Sequence, residues 1–247
     1  LEASTLQSLT SAIDRTAGIR IREEGGVGSD FDLSINGMSG NSIRYFLDGM
    51  PLDAKGTGMT LANLPVNIID RVEIYKGVIP ASFGSDALGG AVNIITNRSS
   101  RNYLDFSYGI GSFHTHKADF SAQYIGKKTG LVFKPVLSAN YSKNDYLMRD
   151  VKVRNADRTA FIVTDLPRFH DAYLSLFGQL EAGVQDRGWA DAFFVSASVS
   201  KIDKEIQTGA TQDRVIGMAE RNTQSLNVAA RYEKADFLTE GMQFQAS

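Results

Sequence analysis

The sequence contains no cysteine, which excludes disulfides, thiolate metal ligands and a cysteine nucleophile. It also lacks any run of eighteen apolar residues, so it predicts no membrane-spanning helix, although the strands of a membrane barrel would leave no such run either. Neither sign of charge dominates, because the formal net charge is −2, and nucleic acid is therefore not an expected partner. With 43% hydrophobic residues among 247, the chain can still bury a core.

Signatures of catalysis and of cofactor binding are missing as well. There is no Walker loop, no dinucleotide fingerprint followed by a helix and no Gly-x-Ser-x-Gly elbow. His114 and His116 have a spacing that can bind a metal, but no third ligand lies nearby in sequence. The sequence therefore predicts a protein that is not an enzyme, with no catalytic residue, no cofactor and no metal site.

The most informative stretch runs from residue 64 to residue 96. Residues 71–75 alternate polar and apolar side chains, which is typical of a half-buried strand, and residues 91–96 form a second such segment. The glycines between them predict a backbone that turns sharply and packs closely against its neighbours. On the Gly-Gly pair alone, a glycine-rich strand pair of a soluble protein would explain the pattern as well. The glycines are Gly77, Gly84, Gly89 and Gly90.

In its order of strand, glycine turn, Gly-Gly and strand, this stretch resembles the plug domain of TonB-dependent outer-membrane receptors. The family pattern is matched by residues 69–74, by residues 82–84 and by residues 89–96. The sequence departs from the pattern in two places, because the proline of the turn comes late, at Pro80, and Phe83 replaces the common tyrosine. Variants of this kind look like the receptors of Bacteroidetes.

The residues before this stretch fit the same resemblance. Apolar residues at helical spacing predict a short helix within residues 1–16, and alternation predicts strands at residues 19–22 and 43–47. Between the strands, residues 23–30 are predicted to be a mobile, glycine-rich loop.

Asp48 and Gly49 follow the second of these strands and form a common turn signal. In the family a strand that ends in Asp-Gly precedes the central strand, as it does here, although Asn36 stands where the family has an arginine. Residues 1–98 are therefore predicted to be the plug domain, truncated at its N-terminus.

From residue 102 onward, the pattern changes to longer alternating segments. Dyads of about ten residues are the signature of outer-membrane barrel strands. We therefore predict that residues 99–247 are the first strands of the barrel, truncated at the C-terminus. The fold class is an α+β plug domain followed by antiparallel β strands of a large, here incomplete, transmembrane β-barrel of about seven strands. The segments are 104–110, 118–124, 133–141, 174–182, 193–199, 226–232 and 242–246.

The connections between these segments differ in length. Residues 142–170 and 201–221 are the two longest, and both are external if the first barrel strand starts at the periplasm. A soluble β-sandwich would have no reason to sort its loops in this way. Pro135 lies inside the third segment, where it cannot donate a ladder hydrogen bond, so we expect a bulge or irregularity there.

By resemblance, the plug presents three apical loops to an external cavity, at residues 38–41, 50–55 and 78–83. Apolar residues in such turns either pack or bind a ligand. Packing against the barrel wall is the alternative, because pockets and cores use the same residue types. The residues predicted to contact substrate are Met38, Met50, Asp53, Ile79 and Phe83.

A second group of residues is predicted to shape the plug. Arg71 and Glu73 point away from the apolar face of the central strand, and we expect them to pair with charges of the barrel wall. The group comprises Asp48, Gly49, Arg71, Glu73, Gly77, Gly84, Gly89 and Gly90.

The resemblance implies a transporter of the bacterial outer membrane that binds an external nutrient and imports it with energy from the inner-membrane TonB complex. The nutrient would be a siderophore, cobalamin, a glycan or a peptide. The implied partners are the TonB periplasmic domain, reached through a segment upstream of residue 1, outer-membrane lipid, the nutrient and a surface lipoprotein. The alternative, from another class, is a passive porin or a surface adhesin with a β-rich domain. A coupling box upstream of residue 1 would favour the importer.

Overall fold

The described part of the chain consists almost entirely of β-strands. The helix predicted within residues 1–16 lies largely outside the described residues. No helix among the residues that the structure describes has the length and hydropathy to span a membrane. The computed structural model describes residues 13–14, 16–23, 25–52, 64, 68–77, 79–80, 89–97, 101–207, 219–235 and 244–246.

Two small sheets form the first part of the chain, called the plug below. The first sheet is antiparallel, in the order β1-β2-β3, and the second has the order β5-β4-β7-β6. Within the second sheet β4 runs parallel to β7, and a 3₁₀ turn at Gly40–Ser42 leads into β4. The strands are β1 (Ile19–Glu23), β2 (Phe31–Ile35), β3 (Met38–Ser39), β4 (Ile43–Leu47), β5 (Met50–Pro51), β6 (Ile69–Tyr75) and β7 (Gly90–Thr96).

The plug has a core to which both of its sheets contribute. Leu33 and Ile35 of β2 and Ile94 of β7 are buried in it. The alternation predicted for residues 71–75 is confirmed, because Val72 and Ile74 pack against this core. Burying each such side chain stabilises the fold by about 1.5–3 kcal/mol relative to leaving it in water.

A seven-stranded antiparallel sheet follows the plug and is called the wall. Each of its strands pairs with its neighbour, in the order β16-β15-β14-β13-β10-β9-β8, and the sheet is open. The seven alternating segments predicted from the sequence lie in strands of this sheet, the last of them over its described residues 244–246. They are β8 (Tyr103–Gly111), β9 (Thr115–Ile125), β10 (Leu131–Ser142), β13 (Tyr173–Arg187), β14 (Ala190–Glu205), β15 (Glu220–Lys234) and β16 (Phe244–Ala246).

The connection at residues 142–170, which the sequence pattern presented as a loop, contains a further hairpin. Its strands, β11 (Leu147–Arg154) and β12 (Phe161–Pro167), pair with each other as a separate two-stranded sheet. The prediction missed them because a register shift between Met148 and Val151 breaks the alternation of β11. In β12, three consecutive apolar residues have the same effect.

Of the bulge or irregularity expected at Pro135, the bulge is not formed but the ladder on one side is irregular. Across this residue β10 keeps one register with β13, where Pro135 lies opposite Leu180. On the other side, the pairing of β10 with β9 also keeps its register but is interrupted between Phe133 and Val136. The missing N–H of proline therefore opens the ladder on one side without shifting it.

The wall exposes its apolar face and buries much of its polar face, which is the reverse of a sheet in a soluble protein. The apolar side chains of the dyads point away from the plug, and Leu226 and Val228 are 71% and 69% exposed. The face toward the plug buries polar residues, such as Asp119, Ser121 and Ser138, together with Val136 and Phe177, which join the plug core. A closed soluble core would bury the apolar face instead.

Candidate functional site

The turn between β4 and β5 is fastened to the end of β7. Asp48 and Gly49 both have positive φ, 52° and 83°, which is the conformation of a tight hairpin turn. The Asp48 carboxylate accepts hydrogen bonds from the backbone N–H (3.0 Å) and the hydroxyl (2.7 Å) of Thr96. The Gly49 N–H donates to the side-chain oxygen of Asn93 at 3.0 Å. Asp48 and Gly49 thus form a tight turn that is hydrogen-bonded to β7, and their role in shaping the plug stays a prediction.

Replacing Asp48 with alanine is expected to lower the free energy of unfolding of the plug by about 3–6 kcal/mol. The two donors of Thr96 lose a charged acceptor, and hydrogen bonds to charged groups contribute about 1.5–3 kcal/mol each. Asp48→Asn, which keeps one acceptor and tolerates the left-handed backbone, should cost less than half as much. Denaturant titration of the full-length receptor measures the difference, and equal costs would contradict this account.

Arg71 and Glu73 find their partners within the plug sheet. The Arg71 guanidinium lies 2.9 Å from the Glu73 carboxylate and 3.1 Å from that of Asp70. Glu73 also accepts hydrogen bonds from the Tyr75 hydroxyl (3.0 Å) and the Asn93 amide (3.2 Å). Pairing of Arg71 or Glu73 with wall charges is not seen among the described residues, so that part stays a prediction.

These contacts favour the charged states of Arg71 and Glu73. Hydrogen bonds to Glu73 and Asp70 raise the pKa of the Arg71 guanidinium. Burial acts to raise the pKa of Glu73, but the hydrogen bonds from Tyr75, Arg71 and Asn93 together lower it. Arg71 and Glu73 therefore remain ionised at neutral pH, and the hydrogen bond from Asn93 to Glu73 joins β7 to β6.

The predicted glycines act at the other end of β7. Gly90 has φ of +152°, and a Cβ there would lie 2.8 Å from Ile35 Cδ1 and 2.9 Å from the Tyr75 carbonyl oxygen. A Cβ at Gly89 would lie 2.9 Å from Ser42 Cβ and 3.1 Å from Met38 Cβ. Gly77 (φ +89°) has open space around it, so its requirement is conformational. The turn glycine Gly84 lies outside the described residues.

The predicted substrate-contacting residues are only partly described. Met38 is exposed beside Gly89, whereas Ile79 is partly buried against Phe46 and Ala91. Met50 pairs with Leu47 across the turn that contacts Thr96, and nothing further is described for its side chain. Asp53 and Phe83 lie outside the described residues. Met38 and Met50 therefore belong to opposite ends of β7, which are separated by about 20 Å for a strand of this length.

A contact between plug and wall that the sequence did not predict involves residues 25–30, called the clamp loop. The Asn144 side chain accepts a hydrogen bond from Val27 N–H (3.1 Å) and donates one to the Val27 carbonyl (2.8 Å). Asp30 forms a two-pronged ion pair with Arg221 at 2.9 and 3.3 Å. At Gly28 (φ +78°) a side chain would collide with the ring of Tyr173. The segment expected to be mobile is therefore held on the wall.

Beside the clamp loop, a buried group of charges belongs to the wall and to the base of the hairpin. Asp171 is 2% exposed, and its carboxylate lies 2.8 Å from both the Lys204 ammonium and the Arg168 guanidinium. Lys204 also donates to the Asp171 carbonyl at 2.8 Å. The Asp171 carboxylate thus faces two cations, and these contacts offset part of the cost of burying the charges.

Near the N-terminal end of β10, the wall contacts the residue that follows the C-terminal end of β7. The Lys134 ammonium donates to the Asn97 carbonyl at 2.7 Å. A polar cavity of about 290 Å³ opens here between plug and wall. Its lining includes Asp48, Thr96, Gln123, Lys134, Glu181 and Arg231.

The two histidines of the His-x-His pair point to different partners. His114 lies 3.3 Å from the Asp145 carboxylate, and His116 shares a hydrogen bond of 2.8 Å with the Tyr108 hydroxyl. Within the described ranges, no group of three or more histidine, aspartate or glutamate side chains is placed to hold a metal ion.

The N-terminal part of the chain matches a known family. Residues 1–91 match the TonB-dependent Receptor Plug Domain, which confirms the plug predicted from the glycine motif over those residues. The chain is also 34% identical over 122 residues to the vitamin B12 transporter BtuB of Vibrio vulnificus (strain CMCP6). That alignment covers 49% of this chain and 20% of the transporter, so the chain spans about a fifth of its length.

Solved receptor structures extend the likeness to the wall. The FrpB iron transporter of Neisseria meningitidis has a TM-score of 0.64 at 18% identity, over 95% of this chain and 35% of its own. The ferripyoverdine receptor of the outer membrane of Pseudomonas aeruginosa has a TM-score of 0.63 at 13% identity, over 92% and 30% respectively. At these identities the likeness shows the fold, a plug followed by antiparallel strands, which form an open sheet here.

These relatives are transporters and receptors rather than enzymes. The absence of enzymatic activity from this chain itself stays a prediction.

Proposed function

We propose that this chain is the plug and the first wall strands of an energy-coupled importer of the bacterial outer membrane. The observation that carries the proposal is the reversed polarity of the wall, with its apolar face exposed and its polar face closed by the plug. In water, an apolar face of this extent would promote aggregation, whereas a lipid bilayer covers it.

The height of the apolar face suits a bilayer. On β10, outward-facing residues run from Leu131 to Tyr141, a span of about 34 Å along an antiparallel strand. A barrel strand tilted by about 40° would project this span onto about 26 Å, close to the apolar band of about 25 Å in outer-membrane barrels. On β15, the apolar face begins at Leu226, just after the polar Gln224.

Transport by such a protein requires a plug that closes the lumen and an energy source that moves it. A barrel wide enough to hold a folded domain would otherwise leak. The clamp loop and the bond from Lys134 to Asn97 support a plug seated against the wall at both ends. We infer that the TonB periplasmic domain acts through a segment upstream of residue 1. A surface lipoprotein partner and an origin in Bacteroidetes remain part of the proposal.

The imported ligand is a nutrient that enters from outside, with siderophore, cobalamin, glycan and peptide as the candidate classes. The transporter from Vibrio vulnificus and the receptor from Pseudomonas aeruginosa make the first two the probes to test first. Deleting the full-length gene in its own bacterium should abolish saturable uptake of one such probe. Deleting TonB should have the same effect. Uptake that continues without TonB would indicate a porin, and cell attachment without any uptake an adhesin.

Loss of the predicted ligand contacts should weaken binding without unfolding the receptor. In the full-length receptor, we expect Met38→Ala and Phe83→Ala each to raise the Kd for the imported probe by about tenfold, because apolar and aromatic anchors dominate binding energy. Met50 lies at the Thr96 end of β7, beside the periplasmic end of the wall, so Met50→Ala should leave this Kd unchanged. Isothermal titration and thermal unfolding separate the two roles. A lowered melting temperature with unchanged Kd would mean that Met38 and Phe83 only pack.

A further inference from the structure

The external hairpin of β11 and β12 and the clamp loop of the plug meet at one side chain. We propose that Asn144 couples them, so that displacement of the hairpin base changes how firmly the clamp loop is held on the wall. The proposal rests on the proposed function for its orientation, because the hairpin lies outside the cell only if the wall spans the outer membrane as argued above.

The Asn144 side chain forms hydrogen bonds through both its amide nitrogen and its amide oxygen. The residue is 1% exposed, has a positive φ of 51° and lies two residues after the end of β10. Its amide nitrogen donates to the Val27 carbonyl (2.8 Å) and to the Asp171 carbonyl (2.9 Å). Its oxygen accepts from Val27 N–H (3.1 Å) and from the Ser142 hydroxyl (2.9 Å). One side chain thus joins the plug to both ends of the hairpin connection, through its own backbone and through Asp171.

The base of the hairpin is tied firmly to this junction. Arg168 N–H donates to the Tyr146 carbonyl at 2.9 Å, and the Arg168 guanidinium lies over the Tyr146 ring with 5.7 Å to its centroid. The same guanidinium lies 2.8 Å from the Asp171 carboxylate, which in turn pairs with Lys204 of the wall. A rotation of the hairpin that moves Arg168 therefore also moves Asp171, whose carbonyl holds Asn144.

The hairpin itself can move more easily than the wall. Its two strands pair with each other and, among the described residues, with no third strand. Two-stranded hairpins are marginally stable in water. The hairpin can therefore shift as a unit on its base, and the Asn144 junction would transmit that shift to the plug.

The experiment measures hydrogen exchange of the peptide that contains residues 25–30 in the full-length receptor, without ligand or TonB. Asn144→Asp is nearly isosteric but loses both N–H donors and places a charge against two carbonyl groups. We expect exchange of the clamp loop to become about tenfold faster. Asn140→Asp adds the same charge earlier on the same strand, where the amide donates only to Ser138 among the described contacts, and should change exchange by less than about twofold.

Excision of the hairpin tests the coupling itself. Tyr146 and Arg168 are hydrogen-bonded across the base of the hairpin, so residues 146–168 can be replaced by Gly-Gly, which removes the guanidinium that holds Asp171. With Asn144 intact, excision should also speed exchange of the clamp loop by about tenfold, and in the Asn144→Asp background it should add less than about twofold.

Two results would overturn the proposal. The first is an unchanged exchange rate after excision. The second is a double variant whose rate increase equals the product of the two single increases, as expected for independent effects. If Asn144→Asp fails to assemble, excision alone decides, because unchanged exchange rejects the coupling and faster exchange supports it. These rates do not depend on transport. Energy-independent uptake would therefore reject the proposed function and leave this coupling standing, whereas unchanged exchange with TonB-dependent uptake would reject the coupling only.

Discussion

Replacing Val228 with arginine is expected to reduce the amount of receptor that is stably assembled in the outer membrane. Val228 lies near the middle of the apolar band on β15 and is 69% exposed. An arginine at the bilayer midplane on the lipid face of a barrel costs about 2–4 kcal/mol. Since folded proteins are stable by only about 5–15 kcal/mol, a second such change inside the band, Ala230→Arg, should abolish recovery from the outer-membrane fraction.

The matched control is the neighbouring residue on the opposite face. Asn227 is partly exposed toward the inside of the wall, and Asn227→Arg should leave the amount of assembled receptor within about twofold of wild type, because surface substitutions cost within about 0.5 kcal/mol. Immunoblots of membrane fractions measure both variants. Equal tolerance of arginine at residues 227 and 228 would contradict the membrane-facing assignment.

Replacing Gly90 with valine is expected to destabilise the plug by about 3 kcal/mol or more, the sum of overpacking and an unfavourable backbone. The new side chain would begin 2.8 Å from Ile35 Cδ1 and 2.9 Å from the Tyr75 carbonyl oxygen, at a φ of +152°. Neither neighbour can withdraw easily, because Ile35 is fully buried and the Tyr75 carbonyl belongs to the paired strand β6.

Gly37→Asn serves as the control for the Gly90 variant. Gly37 also has positive φ (+85°) but nothing within 4 Å of a Cβ, and asparagine tolerates this conformation. The control should cost less than about 1 kcal/mol. Exchange protection of the β7 amides in the full-length receptor under increasing denaturant reports both values. Similar protection in the two variants would contradict the close packing described for Gly90.

The sequence pattern predicted the wall strands correctly because one physical rule governs them. In β8, for example, Leu104, Phe106 and Tyr108 face outward and alternate with polar residues, so the period of two is visible in the sequence. The turn at Asp48 was also predictable, because asparagine, aspartate and glycine are the residues that accept left-handed backbone. Both features depend on residues close together in the chain.

The clamp loop could not be predicted in this way. Val27 and Asn144 are 117 positions apart, and neither residue type indicates that the other is its hydrogen-bond partner. Residues 25–28, Gly-Gly-Val-Gly, are typical of a mobile loop, and only the ring of Tyr173 on the wall explains why Gly28 is needed. Alternation puts Arg71 and Glu73 on the correct face of β6. It does not identify their partners Asp70, Tyr75 and Asn93.

The central claim is that the wall spans a lipid bilayer with its plug inside. Since these 247 residues contain no cysteine, single cysteines at positions 226 to 229 of β15 can carry a spin label in the full-length receptor. Collision rates with oxygen, which partitions into lipid, and with a water-soluble nickel complex then report the surroundings of each position. We predict that Leu226 and Val228 favour oxygen and that Asn227 and Ala229 favour nickel. Equal access of nickel to all four positions would contradict a membrane-spanning wall.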